Sequence, residues 1–499
     1  MTTMLTTPQE AAQWLRARVR GVLRTDSRQV RAGDGFIAWP GAATDGRRFV
    51  ADALAQGASA CLVEQEGVAA FGFERPEVAT YAGLKAGTVR VADVYYESPS
   101  KALDLVAITG TNGKTSTAWW LAWALSKKEL PAHAPCGLIG TLGVGVPPAL
   151  QATGMTTPDP VLVQRSLRGF VDAGVRTCAI EASSIGIAER RLDGLAIRVA
   201  VFTNFTQDHL DYHGSMAAYW AAKSALFDWP GLQAAVIQAG DPRAGELVGK
   251  AEARGLDPWT VSRHGPARLW AEEIGYGEHG LHWTVCEGAQ RVPLQTTLVG
   301  DYNIDNLMCV LAALRALGVP LADAVAACRE LPAVPGRMER IGAPGAPLAV
   351  VDYAHTPDAI EKVLQALRPL AAQRGGRLWC VFGCGGNRDR AKRPLMGAAA
   401  EATADRVLLT SDNPRDEDPL AIIDAMRGGL RRPAAALIEP DRARAIGHAL
   451  AEAGAADVVL IAGKGHEDYQ EARGQRTPFS DQAVARQALQ RRAALGAAA

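Results

Sequence analysis

One stretch constrains this chain more than any other: LDLVAITGTNGKTST, residues 103–117. Leu103–Ile108 is a short, almost continuous apolar run, the pattern of a strand buried on both faces of a parallel sheet. Gly110 and Gly113 allow a tight turn close to a ligand, and TSTAWWLAWALSKK from Thr115 onward reads as a helix. Strand, glycine loop and helix start aim backbone N–H groups and the positive end of a helix dipole at one spot, which makes an anion cradle. Lys114 adds a mobile cation, and the hydroxyl of Thr115 or Ser116 suits Mg²⁺. The loop departs from the standard phosphate-loop spacing: Ile108 stands five residues before Gly113, and the first glycine comes late, at Gly110. Flanked by a strand and a helix, Gly110, Thr111, Asn112, Gly113, Lys114, Thr115 and Ser116 are expected to bind a nucleoside triphosphate.

A chain of 499 residues has room for about three domains of ~150 residues. Lys plus Arg and Asp plus Glu both number 53, so no global field recruits nucleic acid or anionic lipid. The eight cysteines are scattered through apolar patterns without zinc spacing, which reads as buried reduced thiols. No apolar run reaches the ~18–20 residues of a membrane span. Thr7-Pro8-Gln9-Glu10 opens an ordinary helix through Ala11–Arg18 rather than a signal peptide. The expected location is the cytoplasm.

Residues 1–97 read as a small mixed α/β region, with strands at Gly35–Trp39, Ala60–Val63 and Thr88–Val91 and a helix at Phe49–Gln56. Its polar clusters around Thr25–Arg28 and Thr44–Arg48 are turn chemistry or ligand contacts; the residues alone leave both open. Glu97-Ser98-Pro99-Ser100 reads as a linker. From 98 to 333 strands and helices alternate, as a covered parallel sheet requires. The strands Thr177–Glu181 and Arg198–Phe205 end in Glu181-Ala182-Ser183-Ser184 and in Thr206–His213, at the sheet edge where open parallel sheets bind ligands. Glu181 suits a metal beside the phosphates, with Asp208 and His209 as further ligands or ordering groups; His213 reads as a solvated loop residue. Lys223, in the helix Ser215–Phe227, reads as a surface lysine. Asn303 and Asn306 read as cap and turn residues before the helix Leu307–Leu317. After a hinge at Pro332–Arg337, residues 334–499 form a second doubly wound, Rossmann-like unit. Four of its strands end in polar chemistry: Asp352–His355, Gly383–Arg388, Ser411–Arg415 and Gly463–Glu467.

These motifs, taken in order, match a family. Gly110–Thr115, Glu181–Ser184, Asp208–His213, Asp301–Asn303, Pro335–Arg337 and Asp352–His355 together closely resemble the Mur ligases of peptidoglycan synthesis, over essentially the whole chain. Asp412-Asn413-Pro414-Arg415 and Gly463-Lys464-Gly465-His466-Glu467 look like those members that extend UDP-MurNAc-L-Ala-D-Glu. The resemblance implies a three-domain α/β protein. A nucleotide-sugar domain spans 1–97, a central ATP-binding domain like the phosphate-loop ATPases spans 98–333, and an amino-acid-binding domain spans 334–499. It implies a cytoplasmic, monomeric enzyme that uses ATP and Mg²⁺ to join meso-diaminopimelate to the dipeptide through an acyl phosphate.

The site residues implied by the resemblance follow residue by residue. Arg337 reaches the γ-phosphate, Asn303 the adenine and Asp352 the ribose. Lys223 is carbamylated and helps Thr115, Glu181 and His209 hold Mg²⁺, against the surface-lysine reading. Thr25, Ser27, Ala42, Ala43 and Thr44 contact the uridine nucleotide. Met155, Thr156, Thr157, Ser183, Glu189 and Arg191 take the dipeptide and pyrophosphate, with Met155 and Glu189 standing where the family pattern has asparagine and glutamine. Arg388, Asp412, Asn413, Pro414, Arg415, Gly463 and Glu467 form the diaminopimelate pocket. A motor or switch ATPase would account for residues 110–115 but leaves four polar strand ends without a purpose. The folylpolyglutamate synthase branch shares the ATP chemistry, yet it is opposed by Asp412–Arg415 and by the N-terminal domain.

Overall fold

The computed structural model describes residues 3–41, 44–277, 280–343 and 345–497. Among the described residues the chain is α/β and carries three main sheets, of five, eleven and six strands. It divides into two compact units. One comprises Met1–Gly275, His282–Gln295 and Ile304–Leu331; the other comprises Tyr276–Leu281, Thr296–Asn303 and Pro332–Ala499.

In the first unit the strand Thr3–Leu5 leads into the helix Pro8–Arg16, started by a capping box in which Thr7 Oγ1 accepts from Glu10 N and Glu10 returns the bond. The five strands Thr3–Leu5, Val78–Tyr81, Ala60–Glu64, Gly35–Ala38 and Leu23–Arg24 lie side by side in that order, all parallel. Residues 88–91, expected as a strand, belong instead to the helix Leu84–Tyr95. The β-branched Thr88, Val89 and Val91 fit either element; Leu84, Thr88, Val91 and Ala92 fall on one buried helical face, and that decides it. The expected linker at 97–100 is pinned. Ser100 is buried, its hydroxyl accepts from Ala196 N at 3.1 Å, and Pro99–Ala102 forms a 3₁₀ turn.

In the same unit the strand Asp104–Thr109 sits at the centre of a parallel array between Ile197–Phe202 and Thr177–Glu181. Cys136–Gly140 and Ala234–Gln238 extend the array on either side. Every residue from Leu105 to Ile108 is fully buried, which explains the unbroken apolar run. The array continues outward through antiparallel hairpins, 143–151 on one flank and 280–295 on the other.

The six-stranded sheet of the second unit places Leu348–Asp352, Val458–Ala462, Leu378–Phe382 and Arg406–Leu409 side by side and parallel. Alternate residues serve opposite cores: Leu348, Val350, Cys380 and Phe382 face one, Ala349, Val351, Trp379 and Val381 the other. All four carboxyl ends therefore open on one edge. The eight cysteines are free and buried. Among the described residues, no helix is long and apolar enough to cross a membrane.

Candidate active site

The strand Asp104–Thr109 delivers the loop 110–113 to the start of the helix Lys114–Leu125. Gly110 has φ +145°, and a Cβ there would collide with Thr203 Oγ1; Gly113 has φ +85° and leaves no room beside Asn306 Oδ1. Side chains are therefore excluded at both turns, and the backbone N–H groups stay accessible. Asn204 ties the loop down: its carbonyl accepts from Thr111 N at 2.8 Å and its Oδ1 from Asn112 N at 2.9 Å. Lys114 Nζ donates to the carbonyls of Gly110 and Thr111, both at 2.8 Å, which folds the cation back over its own loop.

Thr115 Oγ1 donates to Glu181 Oε2 at 3.0 Å, so the first helical turn and the end of the neighbouring strand meet at a carboxylate only 1% exposed. Thr141, missed in the sequence, completes this corner by donating N–H to Glu181 Oε1 at 2.8 Å and its hydroxyl to Oε2 at 3.2 Å. Its one signal was its place just after the strand Cys136–Gly140. Thr141 Oγ1 also lies 3.0 Å from Thr156 Oγ1, close enough to accept that hydroxyl's proton. Thr157 Oγ1 donates to the Glu181 carbonyl at 2.7 Å and accepts from Ser183 N at 3.0 Å. Arg191 donates to the Thr157 carbonyl at 2.8 Å and lies 3.6 Å from Met155 Sδ. The expected dipeptide residues thus gather around Glu181. Glu189 lies further out, where its carboxylate accepts from Tyr212 Oη at 2.6 Å and pairs with Lys85 at 3.0 Å. The Tyr212 bond does most to hold the Glu189 pKa below the usual carboxylate range.

A second group assembles on Tyr219, which sequence reasoning passed over. Its ring faces His209 at 6.0 Å, His213 at 5.2 Å and Lys223 Nζ at 4.6 Å, and its hydroxyl lies 3.1 Å from Thr111 Oγ1. Lys223 is 1% exposed, which corrects the surface-lysine reading: the helix Met216–Ser224 turns that position inward, and Nζ donates to Gly110 O at 2.7 Å. Burial, reinforced by Lys114, pulls the amine well below the ordinary lysine pKa. Burial likewise lowers His209, with Asp208 opposing it at 3.4 Å. His213 also departs from the solvated reading, with Nε2 3.0 Å from Ser184 Oγ.

The first five-stranded sheet carries a cavity of about 890 Å³, lined by Thr25, Ser27, Thr44, Trp39, Phe49 and Gln56 among others. Three of the expected nucleotide contacts line it; Ala42 and Ala43 lie outside the described residues.

Asn303, in the second unit, and Asn306, in the first, belong to the first turns of the helix Tyr302–Ala316 rather than to its cap, and Asn303 Nδ2 donates to Val299 O at 2.8 Å. The buried Asp352 accepts from Met338 N and Ala354 N, each at 2.8 Å, and burial raises its pKa. The Arg337 guanidinium sits 4.4 Å over the Tyr353 ring, whose neighbour is His466.

On adjacent strand ends, Lys464 is fully buried and its Nζ donates to Asn413 Oδ1 at 2.9 Å, Glu467 Oε2 at 3.2 Å and Asp412 Oδ1 at 3.4 Å. Asn413 Nδ2 donates to Glu467 Oε2 at 2.9 Å. A Cβ at Gly463 would come within 2.6 Å of Asp412 Oδ2. Arg415, at φ +51°, donates from Nη1 to Gly386 O at 2.8 Å; Pro414 backs it, and the exposed Arg388 follows on the facing loop. Lys464 lies outside the residues expected of the pocket, yet its ammonium holds three of them together.

The donor set at Thr115 and Glu181 is all oxygen. Among the described residues, no group of three or more His, Cys, Asp and Glu side chains forms a metal cage. The oxygen donors of Thr115 and Glu181 fit Mg²⁺, which takes one or two carboxylates and leaves the rest of its shell to water and phosphate.

Three family models match the chain. The Mur ligase middle domain matches residues 108–314, the Mur ligase glutamate ligase domain 336–465, and the Mur ligase family catalytic domain 21–97. A protein of Acidovorax sp. (strain JS42), named UDP-N-acetylmuramoyl-L-alanyl-D-glutamate--2,6-diaminopimelate ligase, is 62% identical over 98% of both chains. A relative of the same name from Pseudomonas aeruginosa is 46% identical over 94% of both. A solved structure of a ligase of that name superposes with a TM-score of 0.64 at 35% identity, covering 95% of each chain. The three family models together span most of the chain and the relatives nearly its full length, and the chain belongs to the Mur ligase family.

Proposed function

We propose that this chain is the ATP-dependent ligase that adds meso-diaminopimelate to UDP-MurNAc-L-Ala-D-Glu, the reaction named for its 62%-identical relative. One observation carries the choice of amino acid: a guanidinium, Arg415, and a carboxylate, Glu467, stand on neighbouring strand ends tied together through Asn413 and Lys464. Diaminopimelate has a carboxylate and an ammonium at its far end, and such a pocket offers a counter-charge to each.

The domain boundaries that go with this reading are 1–97, 98–333 and 334–499. The uridine nucleotide enters the cavity beside Thr25, Ser27 and Thr44. The dipeptide lies along Thr156, Thr157, Ser183 and Arg191, with the γ-carboxylate of D-Glu directed toward Lys114. Glycine-loop N–H groups and Lys114 hold the triphosphate, Arg337 meets the γ-phosphate, and Asn303 and Asp352 hold adenine and ribose. The γ-carboxylate attacks the γ-phosphorus, the bond from that phosphorus to the β–γ bridging oxygen breaks, and ADP leaves behind an acyl phosphate. The amine of diaminopimelate then attacks the acyl carbon, and the tetrahedral intermediate expels phosphate. Phosphates and a carboxylate repel one another, so fixed cations supply much of the rate. Thr115, Glu181, His209 and a carbamylated Lys223 would hold Mg²⁺, which neutralises phosphate charge when bound. A neutral, desolvated amine at Lys223 is the form that adds CO₂. The enzyme works as a cytoplasmic monomer.

The deciding experiment measures phosphate release with UDP-MurNAc-L-Ala-D-Glu, Mg-ATP and a panel of amino acids. Release with meso-diaminopimelate well above lysine is expected; release with lysine alone, or without any amino acid, overturns the reading.

A further inference from the structure

Arg388 and Arg415 lie on two separate loops, and something must hold those loops in register if both guanidiniums are to meet one carboxylate. Glu417 supplies it. Glu417 Oε1 accepts from Asn387 N at 2.6 Å and from Arg393 Nη2 at 2.9 Å, and Oε2 accepts from Arg393 Nη1 at 3.0 Å. Arg393 is 3% exposed, so this bidentate pair is largely withdrawn from water, while Arg390 pairs with the same carboxylate from the solvent side at 3.2 Å. These bonds, Arg393 first, hold Glu417 down at about 2, so it is a carboxylate at every working pH.

The bonds converge on the residues next to the two arginines. Asn387, at φ +53°, precedes Arg388, and its Nδ2 also donates to Asp416 Oδ2 at 2.8 Å. Gly386 N donates to Asn413 O at 2.9 Å, and Gly386 O is the acceptor that orients Arg415 Nη1. Gly386 has no room for a Cβ against Pro414 O, so the loops touch backbone to backbone. Glu417 N in turn donates to Pro414 O at 3.0 Å.

We propose that Glu417, clamped by Arg393, is a positioning residue for amino-acid selection: it sets Arg388 through Asn387, and Arg415 through the Gly386 carbonyl. It touches no substrate. The inference rests on diaminopimelate being the amino acid, and it deepens that reading by naming what fixes the spacing of the two cations. Loss of the clamp lets the loop bearing Arg388 shift, which penalises a ligand needing both guanidiniums and spares one needing neither.

The test uses the full-length enzyme and phosphate release, with Glu417→Ala, Glu417→Gln and Asp416→Ala. Asp416 is exposed, so its variant carries little risk of misfolding. For Glu417→Ala, the KM for meso-diaminopimelate should rise roughly 10–100-fold, with kcat at saturation, the KM for ATP and the KM for the nucleotide sugar unchanged. Lysine use should stay where it was, so the ratio of diaminopimelate to lysine falls. Glu417→Gln, which keeps an acceptor for Asn387 N, should fall between wild type and alanine, and Asp416→Ala should shift the KM about fivefold, one hydrogen bond's worth. An unchanged diaminopimelate KM in the folded variants overturns the inference, as does an equal loss for lysine or a parallel rise in the ATP KM. Should Glu417→Ala not fold, the other two variants decide. A wild-type enzyme indifferent to diaminopimelate defeats the functional reading itself, and that is seen before any variant is compared.

Discussion

Replacing Lys223 with methionine separates chemistry from stability. The lysine amine is buried and donates to Gly110 O, but Lys114 Nζ donates to the same carbonyl at 2.8 Å. Deleting the Lys223 bond therefore leaves its acceptor satisfied, and the loss is one net hydrogen bond, about 1 kcal/mol. Methionine has a similar unbranched stem, fills the space over Tyr219 and brings no amine to desolvate. Stability should change by no more than about 1 kcal/mol, a shift in melting temperature of about 4 °C or less. Activity should respond very differently. If the carbamate helps hold charge at the phosphates, its loss removes one fixed electrostatic group, with a cost on the order of 10²–10³ in rate, or about 3–4 kcal/mol of barrier. Phosphate release from Lys223→Met, measured with and without added formate or acetate beside a thermal melt, tests both halves. Slow turnover, partial rescue by the small carboxylate and an almost unmoved melt are expected. Full activity without rescue refutes the carbamate, and inactivity with a melt lowered several times further shows that Lys223 is structural.

Three further outcomes follow from the geometry. Lys114→Ala should abolish phosphate release while the nucleotide sugar still binds, because the cavity beside Thr25 and Ser27 is built without it; calorimetry showing that both are lost refutes this. Arg415→Ala should cost diaminopimelate use on the order of 2–5 kcal/mol in kcat/KM and leave lysine use alone, as loss of one desolvated charge pair requires; competition assays with the two amino acids check it. His466 is held at about 4, chiefly by burial and next by Arg337, below the ordinary histidine value of about 6.5. The unfolded chain therefore takes up this proton first, so the stability that His466 leaves intact above pH ~6.5 is lost progressively toward pH ~4, on the order of 3 kcal/mol in all. Urea melts of His466→Leu over that range should lack this component; an unchanged pH slope refutes the assignment.

How much was legible in the sequence varies by residue. The capping box at Thr7, the buried run at 105–108 and the glycine loop could be read because each rests on contacts within a few residues, where spacing and side-chain type suffice. Residues 88–91 were misread because the β-branched Thr88, Val89 and Val91 satisfy a short strand or a helix equally, and only packing of the Leu84–Tyr95 helix decides. Lys223 was misread from the residues alone for a related reason. Its helix is apolar nearly all round, so no sequence periodicity says which face turns to the glycine loop, and Gly110 lies 113 residues away. Thr141, Tyr219, Lys464 and Glu417 carry little local signature, since each acts on partners brought in from other elements. By itself the sequence determined the strand–loop–helix cradle, the order of the motifs and through them the family, because these depend on short-range geometry and residue chemistry. Only the tertiary structure decided which carboxylate meets Thr115, which ring gathers His209 and Lys223, and which acid holds the loops of Arg388 and Arg415 together. Those are long-range encounters, set by strand order and packing rather than by anything written beside the residues themselves.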